Sequence, residues 1–497
     1  MAAGDQYRRI EPSDMLVFDD ANNLVGLRSG KSDSAEMRLG APLGAEQVAA
    51  VLAGAPQRHT YYLACFGDSI TNNGYYNSAV IAAAGASWFN SSAADNFARS
   101  WGWSTWVGPL SLQRAQVVKS WARQTNGLLN PGTSPAGYPL SAQVTEALAD
   151  PLWPKVNRAV ILIGINDAAY TIEACTAELL RQINRIGKPV DLIAPPPLST
   201  GHTSASGNSP LPVWAWLLEW RAVLKRIADE SGGWVRFVDG YTPGVNAGTS
   251  PAVYASGHSY DNTHPNNVAA YKIADAYVQS LFPSGIGGDL DVWPHNSSAA
   301  TSNCALLDQG FANPVFATGS GGTGTGTVPG SITITNIGTA SHSCSVAINT
   351  MTGGTGSMAS VAITSGADGD GVDVACATAH AAGTTFLTEG DTAWAQMLLR
   401  INSGGIYPRN LFFRLQGYDG ATNWSALLWE LNTTNELALP LTATRTFLLR
   451  TPLLTKGAAA YTNLQAKLRA TFAGAGSCTI DIGNFEIRRF RSGGIYS

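Results

Sequence analysis

Between residues 59 and 283 the apolar positions follow two alternating patterns. Short continuous apolar runs, typical of buried strands, are separated by longer segments in which apolar residues recur at helical spacing. The runs are Tyr61–Phe66, Ala115–Lys119, Ala159–Ile163, Pro189–Ala194 and Trp234–Val238. Strands that alternate with amphipathic helices form a parallel sheet covered on both faces. The pattern therefore predicts an α/β fold for this region.

The helical segments of this region also carry end signals. Apolar residues from Ile172 onward share one face, and Gly187 directly after them is a typical helix terminator. Pro212 stands where the first turn of a helix tolerates proline, ahead of a second apolar face. A third face extends from Ala270 to Leu281. We expect these three helices to pack on the sheet.

The chain before residue 59 is expected to form a short opening unit. The turn-forming run Asp19–Asn23 joins two apolar pieces, Met15–Phe18 and Leu24–Leu27, which predicts a β-hairpin. A helix is expected at 44–53, and no catalytic group stands out in this unit.

Composition changes after Pro283. The stretch Gly319–Gly330 is almost wholly Gly, Thr, Ser and Val, which predicts a linker or a long surface loop. Short strand-like runs follow, and the last changes phase at Gly483-Asn484, where a β-bulge would absorb the slip. The other runs are Ser331–Asn336, Trp394–Ile401, Asn410–Gln416, Ala426–Leu431, Arg445–Leu449 and Lys467–Ala473. These features predict an antiparallel β-sandwich.

The expected domain boundaries follow from these shifts. They are 1–58 for the opening unit, 59–283 for the α/β domain, 284–330 for a linker and the start of the sandwich, and 331–497 for the sandwich.

The charge and hydropathy of the chain indicate which binding partners and which cellular location to expect for the protein. Charged residues make up only 13% of the 497 residues and the net charge is −4, so neither nucleic acid nor an anionic membrane is an expected partner. Residues Met1–Ile10 lack the apolar stretch of a secretory signal, and no later run is long enough to span a bilayer. We therefore expect a soluble protein that leaves the cell only by lysis or on a particle.

The cysteines suggest neither a metal site nor a disulfide framework. Six cysteines are widely scattered, with no C-x-x-C pair and no Cys/His cluster at zinc spacing. The prediction is free, mostly buried thiols with no metal and no cofactor, and one bridge among the four C-terminal cysteines remains an alternative.

The first segment with catalytic chemistry is Gly67-Asp68-Ser69, directly after the first predicted strand. A serine on such a strand-to-helix turn presents its hydroxyl to the crevice at the carboxyl ends of the strands. Its own N–H, close to a helix start, can donate to a developing oxyanion. Ser69 is therefore the candidate nucleophile.

Two further segments lie where they can serve this serine. Gly164-Ile165-Asn166 follows the third predicted strand, and the amide of Asn166 can donate to the same oxyanion. Asp261 and His264 stand immediately before the last predicted helix. A carboxylate three residues before a histidine can reach its Nδ1–H, which leaves Nε2 free to take the serine proton.

Together and in this order, the three segments resemble the SGNH (GDSL-type) hydrolase superfamily over about residues 59–283. The resemblance implies a flavodoxin-like three-layer α/β/α fold and metal-free ester hydrolysis through an acyl-enzyme on Ser69. It implies His264 and Asp261 as the other triad members. It also implies that the N–H of Ser69, the amide of Asn166 and one glycine N–H form the oxyanion hole.

The glycine of that oxyanion hole has two candidates. Gly127 closely follows the second predicted strand, whereas Gly137 better matches the distance to the helix expected near Ser141. We favour Gly127 and keep Gly137 as the alternative.

Other chemistries have less support in the sequence. No G-x-S-x-G elbow occurs, which disfavours an ordinary α/β-hydrolase, and no Walker or dinucleotide glycine pattern follows a strand. His258 is the histidine nearest to the motif, and a role in a surface loop is favoured over that of a second base.

Tryptophans crowd the segment between Ser69 and the second strand. Aromatic faces beside a polar site suit sugar rings, and Trp88, which lies among Ala, Ser and Asn residues, is the candidate for substrate contact. Trp103 and Trp106 have the alternative role of filling the core from a helix.

Looser resemblances suggest the substrate and the setting. The C-terminal sandwich, with Asn313–Phe316 and Ile482–Ile487, resembles jelly-roll carbohydrate-binding modules, and Leu16–Leu27 resembles the openings of bacteriophage tail proteins. They favour an O-acetylesterase acting on an acetylated bacterial surface polysaccharide or oligosaccharide, with a homotrimer possible on a virion. The alternatives are a tail or adhesin protein that binds glycan and has a vestigial hydrolase domain, and a lipase-like esterase.

Overall fold

A computed structural model places a large part of the chain in defined positions. The residues it describes are 15–18, 24–28, 37–43, 61–72, 97–99, 102–133, 136–198, 209, 211–246, 253–259, 261–286, 304–306, 325–326, 332–338, 342–350, 357–376, 387–418, 423–428, 437–456 and 463–490. The chain divides into two compact units. The smaller unit consists of Met1–Thr60 and Ser284–Leu290, and the larger one consists of Tyr61–Pro283 and Asp291–Ser497.

The smaller unit contains a three-stranded antiparallel sheet. Its strands are β1 (Met15–Phe18), β2 (Leu24–Arg28) and β3 (Met37–Leu43), paired in that order. Met15 pairs with Arg28, so the predicted hairpin is confirmed. The helix predicted at 44–53 lies outside the described residues.

The region from 61 to 283 alternates strands and helices, as the periodicity predicts. Its strands are β4 (Tyr61–Gly67), β5 (Phe97–Arg99), β6 (Ala115–Ser120), β7 (Arg158–Leu162), β8 (Val190–Ile193), β9 (Val235–Val238), β10 (Val245–Asn246) and β11 (Val253–Tyr254). Its α-helices are α1 (Ser69–Asn72), α2 (Trp103–Leu110), α3 (Leu140–Ala149), α4 (Ile172–Ile186), α5 (Val213–Glu230) and α6 (Asn267–Leu281). Short 3-10 helices occur at Trp153–Lys155 and Thr242–Gly244, and β10 pairs with β11.

Five of these strands form a parallel sheet in the order β6-β4-β7-β8-β9. Counted along the chain, this is the order 2-1-3-4-5 of flavodoxin-like doubly wound folds. Parallel crossovers are right-handed, and the chain first moves to one side of β4 and then to the other. The helices therefore lie on the two faces of the sheet. On one face α2 packs against α6, and on the other α4 packs against both α3 and α5. The predicted α/β fold is confirmed.

The predicted helix ends are also confirmed. Helix α4 begins at the cap Thr171, whose side chain accepts from the N–H of Ala174, and it ends at Gly187 with φ +60°. Helix α5 begins directly after Pro212. Trp103 and Trp106 of α2 are fully buried and stack edge to face on Tyr277 and Tyr271, so they fill the core.

The C-terminal region consists of strands without helices among its described residues. They are β12 (Cys304–Leu306), β13 (Thr325–Gly326), β14 (Ile332–Ile337), β15 (Ser343–Thr350), β16 (Ser357–Ser365), β17 (Gly371–Cys376), β18 (Thr392–Ile401), β19 (Pro408–Tyr418), β20 (Asn423–Leu428), β21 (Arg445–Arg450), β22 (Leu454–Thr455), β23 (Asn463–Phe472) and β24 (Gly476–Phe490).

These strands form two sheets that are antiparallel in most of their pairings. One has eight strands: six follow the path β13-β15-β16-β24-β18-β21, while β12 pairs with β24 and β22 pairs with β18. The other has six strands in the order β14-β17-β23-β19-β20-β5. The rings of Phe413 on β19 and Phe485 on β24 lie 5.8 Å apart and join the two sheets. The register between β18 and β24 shifts opposite Gly483 and Glu486, which confirms the predicted bulge. The antiparallel β architecture is confirmed, and the jelly-roll connection stays a prediction.

The β-rich region contacts the α/β region directly. Helix α2 packs on β21, where the ring of Trp106 lies 6.1 Å from that of Phe447. Gln113 Nε2 donates to the carbonyl of Leu448 at 2.6 Å, and Arg445 pairs with Asp275 of α6 at 2.5 Å. The two regions therefore share a packed boundary along α2 and α6.

Four cysteines, Cys65, Cys175, Cys344 and Cys478, are buried free thiols, as predicted. No helix in the described part of the chain is long and apolar enough to cross a membrane.

Candidate active site

Ser69 lies at the first position of α1, directly beyond the carboxyl end of β4. The turn before it is tight, since a Cβ at Gly67 would lie 2.2 Å from the carbonyl oxygen of Leu162 on β7. Only a glycine lets the backbone approach its neighbour strand this closely. The sequence Gly-Asp-Ser thus sets the nucleophile candidate at the end of the sheet.

A buried glutamine fixes this turn, and the sequence did not single it out. The Oε1 atom of Gln143 on α3 accepts from the N–H of Gly67 at 3.0 Å, and its Nε2 donates to the carbonyl of Gly67 at 3.0 Å. Gln143 is fully buried. The side chain of Gln143 therefore binds both the N–H and the carbonyl of Gly67. No local sequence motif predicts this contact.

The structure brings Ser69, His264 and Asp261 into one hydrogen-bonded chain. His264 Nε2 lies 2.7 Å from Ser69 Oγ, and His264 Nδ1 lies 2.6 Å from Asp261 Oδ2. An ionised carboxylate can only accept, so Nδ1 carries the hydrogen and Nε2 is left as the acceptor for the serine hydroxyl. This is the arrangement that activates a serine.

Asp261 is held in its charged form. Burial raises its pKa, but the hydrogen bonds from the backbone and ring of His264 and from the N–H of Thr263 outweigh it, so the pKa lies below its ordinary value. Its Oδ1 accepts from the N–H of His264 at 2.7 Å and from that of Thr263 at 3.0 Å. The carboxylate therefore orients both the ring and the backbone of the histidine.

His258 has a different set of partners from His264. Its Nε2 lies 2.9 Å from Lys272 Nζ on α6, and its Nδ1 lies 3.1 Å from the carbonyl of Ser256. Burial lowers its pKa, the hydrogen bond to the carbonyl of Ser256 opposes this change, and the charge of Lys272 adds to the lowering. His258 thus ties the loop to α6, which agrees with the predicted loop role.

Asn166 lies beside the segment that follows β6. One hydrogen of its Nδ2 goes to the carbonyl of Asn126 at 2.9 Å. In the same segment the N–H of Arg123 donates to the carbonyl of Gly67 at 3.1 Å. The stretch 123–126 therefore connects the serine turn with Asn166.

The two candidate oxyanion glycines differ in their surroundings. A Cβ at Gly127 would lie 2.3 Å from Asp167 Oδ2, whereas Gly137 has open space around that position. The N–H of Gly127 donates to Asn130 at 3.0 Å and that of Gly137 donates to Pro131 at 2.6 Å. Either N–H would have to leave this partner to bind an oxyanion, and the assignment to Gly127 stays a prediction.

Asp167 is a second side chain that the sequence did not mark as important. It is fully buried, and its carboxylate accepts from the N–H groups of Leu128, Leu129 and Asn130 at 2.7, 3.0 and 3.1 Å. The carboxylate gathers the loop that carries Gly127 beside Asn166. Burial raises the pKa of Asp167, and the three hydrogen bonds lower it by less, so that the pKa lies above its ordinary value.

Asp68, directly before the nucleophile candidate, is buried close to Asp167. Its Oδ1 accepts from the N–H of Ile70 at 3.0 Å, whereas its Oδ2 has no hydrogen-bond partner among the described residues. Burial raises its pKa to about 7, the N–H of Ile70 opposes this rise, and the charge of Asp167 adds to it. Between pH 3.8 and about 7 this carboxyl therefore holds its proton in the folded chain and loses it on unfolding.

This difference makes stability depend on pH. Between the ordinary value of 3.8 and about 7 the folded chain binds the extra proton, so the free energy of unfolding falls as pH rises through this window. The Asp68→Asn variant has no carboxyl to titrate at this position. The free energy of unfolding of this variant should therefore fall less with pH than that of the wild type, by a few kcal/mol over the window, since each pKa unit corresponds to about 1.4 kcal/mol. Urea unfolding of both proteins from pH 4.5 to 7.5 measures how the free energy of unfolding depends on pH.

An exposed carboxyl gives the matched control for this measurement. Asp229 on α5 pairs with Lys225, and its side chain is 61% exposed. Asp229→Asn should keep the pH slope of the wild type. Equal slopes for wild type and Asp68→Asn would show that Asp68 does not titrate in this window.

Trp88, the candidate for substrate contact, lies outside the described residues. The geometry of the site therefore consists of the serine turn, the histidine loop, Asn166 and the segment after β6.

Solved structures with some similarity to this chain include esterases. A carbohydrate acetylesterase from Sinorhizobium meliloti is 16% identical, with 45% of this chain and 100% of that one covered and a TM-score of 0.32. A variant of an acetyl-xylooligosaccharide esterase from Geobacillus is 16% identical, with coverages of 46% and 95% and a TM-score of 0.31. A GDSL-like lipase from Bacteroides thetaiotaomicron is 14% identical, with coverages of 48% and 96% and a TM-score of 0.30.

No protein-family model matches the sequence, and no curated protein matches it.

Proposed function

We propose that this chain is a serine esterase of the SGNH kind, with Ser69 as nucleophile, His264 as base and Asp261 as the group that orients the base. The observation that carries the proposal is the hydrogen-bonded chain from Ser69 Oγ to His264 Nε2 and from His264 Nδ1 to Asp261 Oδ2. These atoms come from the two ends of the α/β region, 195 residues apart.

The geometry supports acyl transfer in two halves. Ser69 Oγ attacks the acyl carbon of the ester while its proton passes to His264 Nε2, and the imidazolium then gives that proton to the departing alcohol oxygen. Water attacks the acyl-enzyme in the second half, His264 takes one of its protons, and the proton returns to Ser69 Oγ as the acid leaves.

Donors for the oxyanion come from both sides of the serine. Among the described residues none accepts from the N–H of Ser69, and the Nδ2 of Asn166 has a second hydrogen besides the one bound to Asn126. These groups form the proposed oxyanion hole together with the N–H of Gly127, which would leave the carbonyl of Asn130 to bind the oxyanion. One such donor contributes about 10²- to 10³-fold to kcat.

We propose an O-acetyl ester on a bacterial surface polysaccharide or oligosaccharide as the substrate. The exposure of the site supports a bulky alcohol side, because the side chains of His264 and Asp261 are 21% and 41% exposed. A polymer can reach such an open site without entering a tunnel. A trimeric, virion-borne form of the enzyme would present this site to a host surface.

Glycan binding by the β-rich region is the second proposal, and it depends on a polar trough on the eight-stranded sheet. The trough is a cavity of about 420 Å³ lined by Asn349, Ser360, Arg400, Asn402 and Asp481 among others. Asp481 accepts from Arg400 Nε and Asn402 Nδ2, both at 2.7 Å, and from Ser360 Oγ. The side chain of Asp481 is only 1% exposed, so the guanidinium of Arg400 and the amide of Asn402 are the groups that would bind the vicinal hydroxyls of a sugar.

Hydrolysis of p-nitrophenyl acetate, butyrate and octanoate tests the proposed acyl group. We expect the highest kcat/KM for acetate and a loss of about tenfold or more at octanoate, since a pocket built for a methyl group excludes a long chain. A kcat/KM that rises with chain length would instead identify a lipase-like esterase.

Acetylated capsular and O-antigen polysaccharides then test the alcohol side. The wild type should release acetate from at least one of them, and Ser69→Ala should release none. Calorimetric titration of Ser69→Ala with the same polymer separates binding from hydrolysis. Arg400→Ala in that background should weaken binding, and unchanged binding would remove the trough as the glycan site.

A further inference from the structure

The β-rich region touches the loop that carries His264, and Asn267 makes the contact. Asn267 is the first residue of α6, three positions after His264, and it is only 1% exposed. Its Nδ2 donates to the carbonyls of Arg409 and Leu437 at 2.8 and 2.7 Å, and its Oδ1 accepts from the N–H of Leu437 at 3.2 Å. One buried amide thus binds two backbone segments of the β-rich region.

A second contact reaches the other end of the same loop. The side chain of Leu437 covers Gly257, since a Cβ at Gly257 would lie 2.9 Å from Leu437 Cδ1. Gly257 has φ +71°, and its carbonyl accepts from Nδ2 of Asn266, the cap of α6. Leu437 therefore holds the loop near its beginning while Asn267 holds it at its end.

Between these two anchors, Asp261 and Asn262 are exposed to solvent. The side chain of Asp261 is 41% exposed, and Asn262 next to it has the left-handed φ of +72°. The supports inside the segment are polar contacts, such as the bond from Ser259 Oγ to the carbonyl of His264 at 2.7 Å. The placement of His264 therefore depends both on these internal polar contacts and on where the ends of the loop are fixed.

We propose that the β-rich region completes the esterase site by fixing the His264 loop, with Asn267 as the positioning residue. The inference rests on the proposed role of Ser69 and His264. A shift of the histidine by about 1 Å breaks the hydrogen bond to Ser69 Oγ, and misplacements of that size cost about a hundredfold in rate. Binding of substrate does not use this bond, so the loss falls on kcat.

The Asn267→Ala variant tests the inference. We expect kcat on p-nitrophenyl acetate to fall about tenfold to a hundredfold with KM within about twofold of the wild type. The low-field proton NMR resonance of the His264 Nδ1–H, bonded to Asp261, should weaken or shift. A residue that only stabilised the fold would leave this resonance and kcat unchanged in the folded fraction.

The matched control breaks a different link between the same two regions. Arg445 of β21 pairs with Asp275, two turns further along α6 and away from the loop. Arg445→Ala should lower the thermal stability and keep kcat within about twofold. An equal loss of kcat in both variants would mean that general destabilisation, and not loop position, explains the effect.

Leu437→Ala gives a second route if Asn267→Ala does not fold, because Leu437 is 38% exposed and can be shortened at little cost. It should lower kcat by a smaller factor, about twofold to tenfold. Unchanged kcat and an unchanged resonance in these variants would overturn the inference. A wild type that hydrolyses no ester would refute the proposed function alone, since the resonance still reports the loop position.

Discussion

Replacing Ser69 by alanine is expected to lower kcat on p-nitrophenyl acetate by about 10⁴- to 10⁶-fold. Ser69 Oγ is the atom of the proposed triad that forms the acyl-enzyme, and it lies 2.7 Å from His264 Nε2. Alanine removes this oxygen and leaves the N–H of residue 69 and the amide of Asn166 in place. The remaining rate should therefore be that of oxyanion stabilisation without covalent catalysis.

The control for Ser69→Ala is a serine of the same α/β region that lies outside the hydrogen-bonded chain. Ser141 on α3 lines a surface cavity, and Ser141→Ala should keep the wild-type kcat. Thermal unfolding verifies that both variants fold. A Ser69→Ala rate within tenfold of the wild type would show that hydrolysis uses another nucleophile.

The second large effect is expected for His264→Ala, with a loss of kcat similar to that of Ser69→Ala. The imidazole both accepts the serine proton and donates it to the leaving group, so neither half-reaction proceeds at its normal rate without it. Because the two residues act as a unit, the double variant should be no slower than either single one.

His258 offers the internal comparison for this prediction. It belongs to the same loop, but its Nε2 faces Lys272 Nζ at 2.9 Å and not the serine. His258→Gln should therefore reduce kcat by about tenfold at most. If His258→Gln abolished kcat and His264→Ala reduced it only mildly, His258 and not His264 would be the base.

Two buried side chains support the site without belonging to the proposed triad. Gln143 holds both backbone groups of Gly67, and Asp167 holds three N–H groups of the loop that carries Gly127. These side chains set the positions of the serine turn and of the proposed oxyanion loop. The site is therefore organised by long-range polar contacts as much as by its motifs.

The local pattern of residues determined much of the fold. The parallel strands follow from apolar runs, α4 ends at Gly187 where a left-handed residue is needed, and the bulge near Gly483 follows from a change of phase. The types and order of Ser69, Asp261 and His264 also predicted that these side chains come together, and the structure places them in one hydrogen-bonded chain. Each of these signals lies within a few residues, since helices, strands and turns are short-range structures.

Other features were decided only by the tertiary structure. The edge strand β5 joins β20 of the second sheet, Gln143 meets Gly67 across 76 residues, and Asn267 meets Leu437 across 170. The N–H groups of Gly127 and Gly137 have partners that no spacing argument revealed. Side-chain to backbone bonds between distant segments leave no periodic trace in the sequence, because they depend on which surfaces the packed chain brings together. For this reason the sequence by itself predicts which residues form the proposed triad, and the groups that contact them became visible only in the tertiary structure.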